Sequence, residues 1–370
     1  MKNILNYKIL AIFIIIISIF SFSIGVSVNL DVIKKLDFNS SSNDMEPLNF
    51  MEQNEINDLI DINSINDIVD KRSFLIHYIW NDDKLPKKLP DNIEENFDDD
   101  LFLNINNLEK ITKLETISEY NVNSISYLFF PQQSNNKLVI YHQGHGSDFS
   151  SGINIIEKLL SEEYTVLAFS MPLTGKNNQP IIEHEKFGKI KLMSHNHLQL
   201  LKNNDFNPIK LFLEPINVSI NYLDSNFNFE SYSMIGISGG GWTTIVYSAI
   251  DERISESFSV AGSYPFFLRS DVKNFGDYEQ NNFELYSNVN YLELYILGAS
   301  GNSRSQTQIF NEYDSCCFSG SGYKLFNNII QGKINNINPG NFEIFLDESQ
   351  TQHVISEKSL NLFLQKLRYN

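Results

Sequence analysis

A short glycine-rich motif constrains this chain more than any other feature. Residues 234–242 read Met-Ile-Gly-Ile-Ser-Gly-Gly-Gly-Trp and place G-x-S-x-G between an apolar run, Ser231 to Ile237, and a helical segment, Thr243 to Ile250. That context is typical of a nucleophile elbow, a strained strand-to-helix turn in which small neighbours prevent Cβ clashes. The helix that follows presents backbone N–H groups to a developing oxyanion. The sequence therefore predicts that Ser238 is a nucleophile.

Two other interpretations of the glycine-rich stretch compete with the elbow. A glycine-rich loop before a helix can bind phosphate, but no Lys-Ser or Lys-Thr follows Gly241, which excludes a Walker A loop. Three consecutive glycines can also serve only as a turn. The strand before the motif and the helix after it favour the elbow.

Composition limits the partners of the chain. Its 370 residues are 42% hydrophobic, enough for the core of one large domain with an appendage. The formal net charge of -17 argues against nucleic acid or anionic lipid as the main partner.

The N-terminus carries an apolar segment that predicts export. Lys2 and Lys8 precede an uncharged run, Ile9 to Val28, that is long enough to span a hydrocarbon core as a helix. We favour an uncleaved signal anchor over residues 1–28, with a cleaved signal peptide as the alternative. Because the lysines would stay in the cytoplasm, the catalytic part is expected outside it, either membrane-anchored or secreted.

The rest of the chain divides into two expected regions. Residues 29–115 are acidic and rich in Asn, which indicates a spacer and an N-terminal extension. A regular pattern starts near residue 116 and predicts a catalytic domain over 116–370. The two cysteines, Cys316 and Cys317, are adjacent, and they are interpreted as small buried hydrophobes rather than as a disulfide.

Strands and helices alternate along residues 116–370. The predicted strands are Val122–Phe130, Lys137–His142, Tyr164–Met171, Ser231–Ile237, Ser257–Ala261, Tyr291–Leu297 and Phe342–Leu346, with Gln308–Tyr313 ambiguous. The predicted helices are Ser151–Leu160, Pro208–Leu223, Thr243–Ile250 and Glu357–Leu367. This alternation predicts an α/β fold with a mostly parallel sheet covered by helices on both faces. Two insertions, Pro172–Asp205 and Pro265–Asn290, follow strands at the edge where such folds bind ligands.

The partners of Ser238 are sought in the order serine, acid, histidine. His353 is the only histidine after Ser238, so it is the candidate base. Asp314 lies in the segment before the last strand and is the candidate acid. Asp271, after the strand next to the elbow strand, is the alternative.

Two backbone donors are expected to form an oxyanion hole. One is the N–H of Gly239, and the other comes from the turn His142–Gly146, from either Gln143 or Gly144. His142 and His145 could bind a metal ion, but no third ligand has matching spacing, so no metal is expected.

These motifs, in this order, resemble the α/β-hydrolase superfamily and in particular its serine esterases. The resemblance covers about residues 116–370. It implies a mostly parallel sheet of about eight strands, a cap made by loop insertions, and no cofactor. It also implies Ser238 as nucleophile, His353 as base, Asp314 as the residue that orients the base, and Gly239 as an oxyanion donor.

The expected function is therefore that of an exported serine hydrolase, a carboxylic ester hydrolase that forms an acyl-enzyme. The alternatives are a peptidase or lipase with the same triad and a catalytically silent binding protein of this fold. The expected partners are a small-molecule or lipid-like acyl substrate and, if residues 1–28 stay attached, a membrane. No nucleic acid partner is expected.

Overall fold

A nine-stranded sheet lies at the centre of residues 51–369, the part of the chain that the computed structural model describes. Its strands are β1 (Asn92–Glu95), β2 (Leu108–Ile117), β3 (Asn123–Pro131), β4 (Lys137–His142), β5 (Thr165–Phe169), β8 (Ser231–Ile237), β9 (Ile254–Val260), β10 (Ser305–Asn311) and β11 (Asn341–Asp347). A separate antiparallel pair consists of β6 (Ile181–His184) and β7 (Gly188–Lys191).

The strand order is β1-β2-β3-β5-β4-β8-β9-β10-β11. The six strands from β5 to β11 run parallel, whereas β1, β2 and β3 join the sheet through antiparallel pairings. The carboxyl ends of β4, β8, β10 and β11 therefore meet at the same edge, where α/β folds place their ligand sites.

Helices follow most of the parallel strands. In the described residues they are α1 (Gln53–Asp58), α2 (Ile65–Trp80), α3 (Ile153–Ser161), α4 (His195–Leu198), α5 (Lys210–Asn226), α6 (Gly239–Ile250), α7 (Phe283–Asn288), α8 (Tyr291–Ala299), α9 (Asn327–Ile337) and α10 (Glu357–Tyr369). No helix among them is long and apolar enough to cross a membrane.

The sheet is buried on both faces, as the near-continuous apolar strands predict. In β4, Leu138 and Ile140 point into a core shared with α2, α5, α6 and α8, whereas Val139 and Tyr141 point into a second core shared with α3 and α10. All four side chains are at most 1% exposed. The alternation follows from the two-residue period of a strand.

The region before residue 116 contributes to this unit from Gln53 onward. Helix α2 buries Leu75 and Ile79 in the first core, and β2 extends to Ile117, so the predicted boundary falls inside a strand of the sheet. The predicted anchor or signal peptide, residues 1–28, and the spacer residues 29–50 lie outside the described residues.

One predicted strand is wrong. Residues Tyr291–Ala299 form the helix α8. Asn290 caps its N-terminus, where the Asn290 side chain accepts hydrogen bonds from the N–H groups of Leu292 and Glu293. Every residue of this helix is buried, so it shows no polar face. A short, wholly apolar run does not distinguish a helix from a strand by periodicity. The segment that the sequence leaves ambiguous, Gln308–Tyr313, overlaps the strand β10. Together with β1 and β2, this strand brings the described sheet to nine strands rather than about eight.

The interpretation of the two cysteines is also wrong. Cys316 and Cys317 are joined by a disulfide, with Cα atoms 3.8 Å apart. Cys317 is buried and Cys316 is exposed. The prediction relied on the rule that bridged Cα atoms usually lie farther apart, which disfavours a bond between neighbours without forbidding it.

Candidate active site

Ser238 occupies a strained turn between β8 and α6. Its backbone dihedrals are φ 56° and ψ -122°, a combination that residues with a Cβ rarely adopt. The turn is held because the Ser238 N–H donates to Val260 O at 2.9 Å and its carbonyl accepts from the Trp242 N–H at 2.9 Å. The surrounding backbone thus imposes the strained geometry that the elbow motif predicts.

The turn after β4 lies directly against this elbow. A Cβ at Gly144 would lie 2.6 Å from Ser238 Cβ and 3.3 Å from its Oγ. A Cβ at Gly240 would lie 2.1 Å from the carbonyl oxygen of His142. The two glycines therefore permit a close approach between the elbow and the turn that no larger residue would allow.

The structure separates the two candidate donors in that turn. The N–H of Gln143 donates to Phe169 O at 3.0 Å and is therefore already used. The N–H of Gly144 makes no hydrogen bond with any residue that the structure describes. Gly239 is the first residue of α6, where an N–H has no acceptor within the helix.

Asp314 and His353 are brought together by the loops that follow β10 and β11. His353 Nδ1 lies 2.7 Å from Asp314 Oδ2, and the Cys316 N–H donates to Asp314 Oδ1 at 2.7 Å. Burial alone would raise the pKa of Asp314, but the hydrogen bonds from His353 and Cys316 lower it below its usual value. An ionised Asp314 accepts the Nδ1 proton and leaves the Nε2 of a neutral His353 without a proton.

The second ring nitrogen of His353, Nε2, has no nitrogen or oxygen partner among the described residues. It lies 4.0 Å from Cys317 Sγ, which carries no proton in the disulfide. Within residues 51–369 no hydrogen bond joins this nitrogen to Ser238 Oγ. Such bonds are often long before substrate binds.

The loop of His353 is fixed by buried polar contacts. Asp347, at the end of β11, accepts hydrogen bonds from Ser356 and Ser359 at the start of α10. The loop of Asp314 is tied to it, because the Glu312 N–H donates to Asp347 O at 2.9 Å. Asp347 is thus placed to position the loop rather than to contact His353.

The alternative acid lies elsewhere. Asp271 begins a short turn, where it accepts a hydrogen bond from the Lys273 N–H at 3.0 Å, and its side chain is half exposed. No hydrogen bond or ion pair within the described chain joins it to His353. Of the two candidate acids, Asp314 is therefore the one that the structure places beside the candidate base.

A second group of ionisable side chains, which the sequence did not bring together, reaches the first residue of α6 through His145. It consists of His145, His195, Asp277 and Glu279, which we call the histidine–carboxylate cluster. Burial would raise the pKa of Glu279, but the neighbouring His195 and His145 lower it to about 2. The residues come from the turn after β4 and from the two insertions. Because His145 and Glu279 are 134 positions apart, no local spacing links them.

Trp242 connects the elbow helix to the insertion that carries this cluster. Its indole N–H donates to Tyr286 Oη at 2.6 Å, and Tyr286 donates to the carbonyl oxygen of Glu279 at 2.7 Å. The indole is fully buried and packs on Phe212, so Trp242 holds α6 in place.

His142 lies outside the cluster. Burial lowers its pKa to about 4, so the ring is neutral near pH 7. Its Nδ1 lies 2.9 Å from the carbonyl oxygen of Gln143.

Comparisons with known proteins give a fold. No family model matches the chain, and no curated protein matches its sequence. Two acetyl xylan esterases have similar structures. The match to the Paenibacillus sp. R4 enzyme covers 86% of this chain and 99% of that enzyme, with a TM-score of 0.55 and 13% identity. The match to the Thermoanaerobacterium sp. JW/SL YS485 enzyme covers 85% of this chain and 97% of that enzyme, with a TM-score of 0.53 and 13% identity. A glucuronoyl esterase from Solibacter usitatus matches over 82% of this chain and 91% of its own, with TM-score 0.52 and 13% identity. These likenesses and the sheet topology show that the chain has the α/β-hydrolase fold.

Proposed function

We propose that this protein is a serine hydrolase that cleaves carboxylic esters, with Ser238 as nucleophile, His353 as base and Asp314 as the residue that orients the base. The observation that carries the proposal is the 2.7 Å contact between His353 Nδ1 and Asp314 Oδ2, at the edge of the sheet where Ser238 occupies the strained elbow. A serine hydroxyl needs such a base because it is a poor nucleophile on its own.

The proposed cycle has two halves. His353 Nε2 takes the proton of Ser238 Oγ as the oxygen attacks the ester carbonyl carbon, and the resulting imidazolium is stabilised by the ionised Asp314. The imidazolium then gives its proton to the departing alcohol as the C–O bond breaks, which leaves an acyl-Ser238. Water, deprotonated by His353, attacks this acyl-enzyme and releases the carboxylic acid and the free serine.

The developing oxyanion needs two donors. We infer that these are the N–H groups of Gly239 and Gly144. Gly144 is chosen over Gln143 because the Gln143 N–H is already bonded to Phe169 O. Both proposed donors lie beside the nucleophile and are fixed by the fold, so they need no reorganisation during the reaction.

The alcohol part of the substrate is proposed to be polar and related to carbohydrate. A cleft of about 670 Å³ starts at the turn after β4 and is lined by polar side chains that include Ser147, Asp148, Asn177 and Gln179. Two proteins of the same fold are named as acetyl xylan esterases, whose esters carry the sugar on the alcohol side. An acetylated sugar is therefore the preferred substrate over a long-chain lipid ester.

The test is covalent labelling with a fluorophosphonate, followed by mapping of the modified residue. We expect label on Ser238, and Ser238→Ala should abolish both labelling and ester turnover. Ser255→Ala, a serine on β9 whose hydroxyl donates to Tyr232 O, is the matched control and should label normally. Labelling of another serine in the Ser238→Ala protein would reject the assignment. Comparing acetylated xylose with a long-chain acyl ester then tests the substrate class.

Export is also proposed, from the apolar run of residues 9–28. The disulfide between Cys316 and Cys317 supports it, because disulfides persist in oxidising compartments. An uncleaved anchor predicts that the full-length protein pellets with membranes and resists carbonate extraction. A mature chain starting between Ser23 and Asn29 would show a cleaved signal peptide instead, and soluble full-length protein in the cytoplasm would contradict export.

A further inference from the structure

The histidine–carboxylate cluster joins three segments that are far apart in sequence. His145 belongs to the turn after β4, His195 is the first residue of α4, and Asp277 and Glu279 lie in the insertion after β9. Glu279 and His195 are almost fully buried, whereas the side chain of Asp277 is 41% exposed. The cluster is thus a buried polar site with one side open to solvent.

The ligand-type atoms of the cluster all lie within 4.8 Å of one another. His145 Nε2 lies 2.6 Å from Glu279 Oε1 and 3.6 Å from Asp277 Oδ2. His195 Nδ1 lies 3.3 Å from Glu279 Oε1 and 3.6 Å from Asp277 Oδ2. Ligand atoms at the corners of a tetrahedron around zinc lie about 3.3 Å apart, given metal–ligand bonds of about 2.0–2.1 Å. Small shifts would bring the four atoms to that geometry.

The tautomer of His195 suits a metal ligand. Its Nε2 lies 3.0 Å from the carbonyl oxygen of Pro172, so Nε2 carries a proton and donates it there. In the neutral ring, Nδ1 then presents a lone pair to two carboxylates. Histidines that bind metals commonly have this arrangement, with the second ring N–H held by a carbonyl or carboxylate oxygen.

Glu279 supplies an independent indication. Its carboxylate is 0% exposed, and Oε2 has no hydrogen-bond partner among the described residues. An unpaired carboxylate oxygen in a buried place is costly, because it loses water and gains nothing in return. A cation bound by the cluster would pair this oxygen or its neighbour Oε1.

We propose that His145, His195, Asp277 and Glu279 bind one divalent transition-metal ion, of which zinc is the best match. Two imidazole nitrogens favour zinc over calcium or magnesium, which prefer oxygen ligands. Two neutral histidines and two carboxylates carry a charge of -2, which a divalent ion neutralises. This inference reverses the expectation from sequence that the chain has no metal site.

The ion would position the turn after β4. A Cβ at Gly239 would lie 2.5 Å from His145 Cε1, so the imidazole packs on the first residue of α6. Holding His145 against the two insertions therefore fixes the segment that contains Gly144. This role rests on the proposed function, whereas metal binding itself does not.

The competing arrangement has no metal. In that case protonated imidazolium rings pair with the two carboxylates, which is consistent with the raised pKa of His195. Burial lowers that pKa, but Glu279 outweighs it. The two arrangements differ in metal content, and this can be measured without any substrate.

The experiment is elemental analysis of the purified full-length protein after dialysis, followed by titration of the metal-free protein with Zn²⁺ and Co²⁺. Buffers contain no reductant, so that Cys316 and Cys317 stay oxidised. We expect one zinc ion per chain, and visible d–d absorption of four-coordinate cobalt. Glu279→Gln and Asp277→Asn should each weaken zinc binding by roughly 100-fold or more, since each removes a ligand charge.

Two variants serve as matched controls. His197→Gln changes a histidine on the same short helix as His195, and Glu284→Gln changes an exposed carboxylate of the same insertion. Both should bind zinc as the unchanged protein does. Folded protein that takes up no zinc would overturn the proposal, and so would zinc binding that survives both ligand substitutions. If Glu279→Gln fails to fold, the half-exposed Asp277→Asn decides.

Discussion

Two imidazole–carboxylate groups of the described chain, His353 with Asp314 and the histidine–carboxylate cluster, differ in what their nitrogen atoms contact. In the first, His353 uses Nδ1 for Asp314 at 2.7 Å and has no polar hydrogen-bond partner at Nε2 among residues 51–369. In the second, His195 uses both nitrogens, Nδ1 toward Glu279 at 3.3 Å and Nε2 toward Pro172 O at 3.0 Å. The same two residue types, histidine and an acidic residue, are therefore arranged with different hydrogen bonds in the two places.

The difference in how the ring nitrogens are hydrogen-bonded suits one histidine to proton transfer and the other to binding. A general base needs one nitrogen held by an acceptor and the other open to the substrate, and the Asp314 contact at His353 Nδ1 is consistent with the base role proposed for it. A histidine with both nitrogens engaged keeps a fixed orientation but takes no proton from a substrate. His145 is intermediate, because Nε2 contacts Glu279 while its ring packs on Gly239.

The largest expected effect distinguishes His353 from His145. His353→Asn should lower kcat by roughly 10⁵-fold, since a triad without its base loses nearly all covalent catalysis. The fold loss of kcat in His145→Asn should be at least about 100 times smaller, because His145 is proposed to position a turn and takes no proton. Single-turnover kinetics with a chromogenic acetyl ester measure both. The comparison would be reversed if His145→Asn proved the more damaging change.

A somewhat smaller effect is expected at the acid. Asp314→Asn should reduce kcat by about 10⁴-fold, because an amide no longer holds His353 in the tautomer with a free Nε2. Asp271→Asn removes only an exposed turn contact and should stay within about twofold. Measuring kcat and KM for both variants tests this, and equal losses would place Asp271 in the machinery.

The smallest effect concerns the turn that lies between the two sites. Gly144→Ala should lower kcat by roughly 10²–10³-fold, because the new Cβ would clash with Ser238 Cβ and displace one oxyanion donor. KM should change less, since the donor acts mainly in the transition state.

Gly332→Ala is the control for that substitution. It lies in α9, where an added Cβ meets nothing within 4 Å, so activity should be unchanged. If Gly144→Ala retained full activity, the second donor would have to come from another amide.

The sequence grouped Ser238, Asp314 and His353 but did not group the members of the histidine–carboxylate cluster, and the reason is physical. The Ser238, Asp314 and His353 side of the molecule follows strands whose apolar runs and order along the chain are visible in sequence. Strands β4 and β8 were predicted with their observed bounds. Because parallel strands end at one edge, chain order was enough to group those residues.

The histidine–carboxylate cluster had no such signal. Apart from His145, its members lie on two insertions whose paths depend on tertiary packing. In the second insertion, for example, Arg269 donates to the backbone carbonyls of Tyr264, Phe275 and Gln280. The sequence marked both insertions as ligand-binding loops but not how they meet. Helix α8 was mispredicted for a related reason, since burial on all sides removes the periodic pattern.

Helix α2 limits where a protease can cut this chain without destabilising the fold. Its Ile68, Leu75 and Ile79 side chains are each at most 1% exposed, and burial of each contributes about 1.5–3 kcal/mol. Lys71 pairs with Glu293 at 3.0 Å, and Arg72 donates to Ala249 O at 3.0 Å, so the helix is fastened to α6 and α8. Losing those contacts would remove a large part of a typical folding free energy of about 5–15 kcal/mol. We therefore expect that proteolytic release that preserves the fold occurs upstream of α2, which begins at Ile65, and that a chain cut at residue 116 is strongly destabilised.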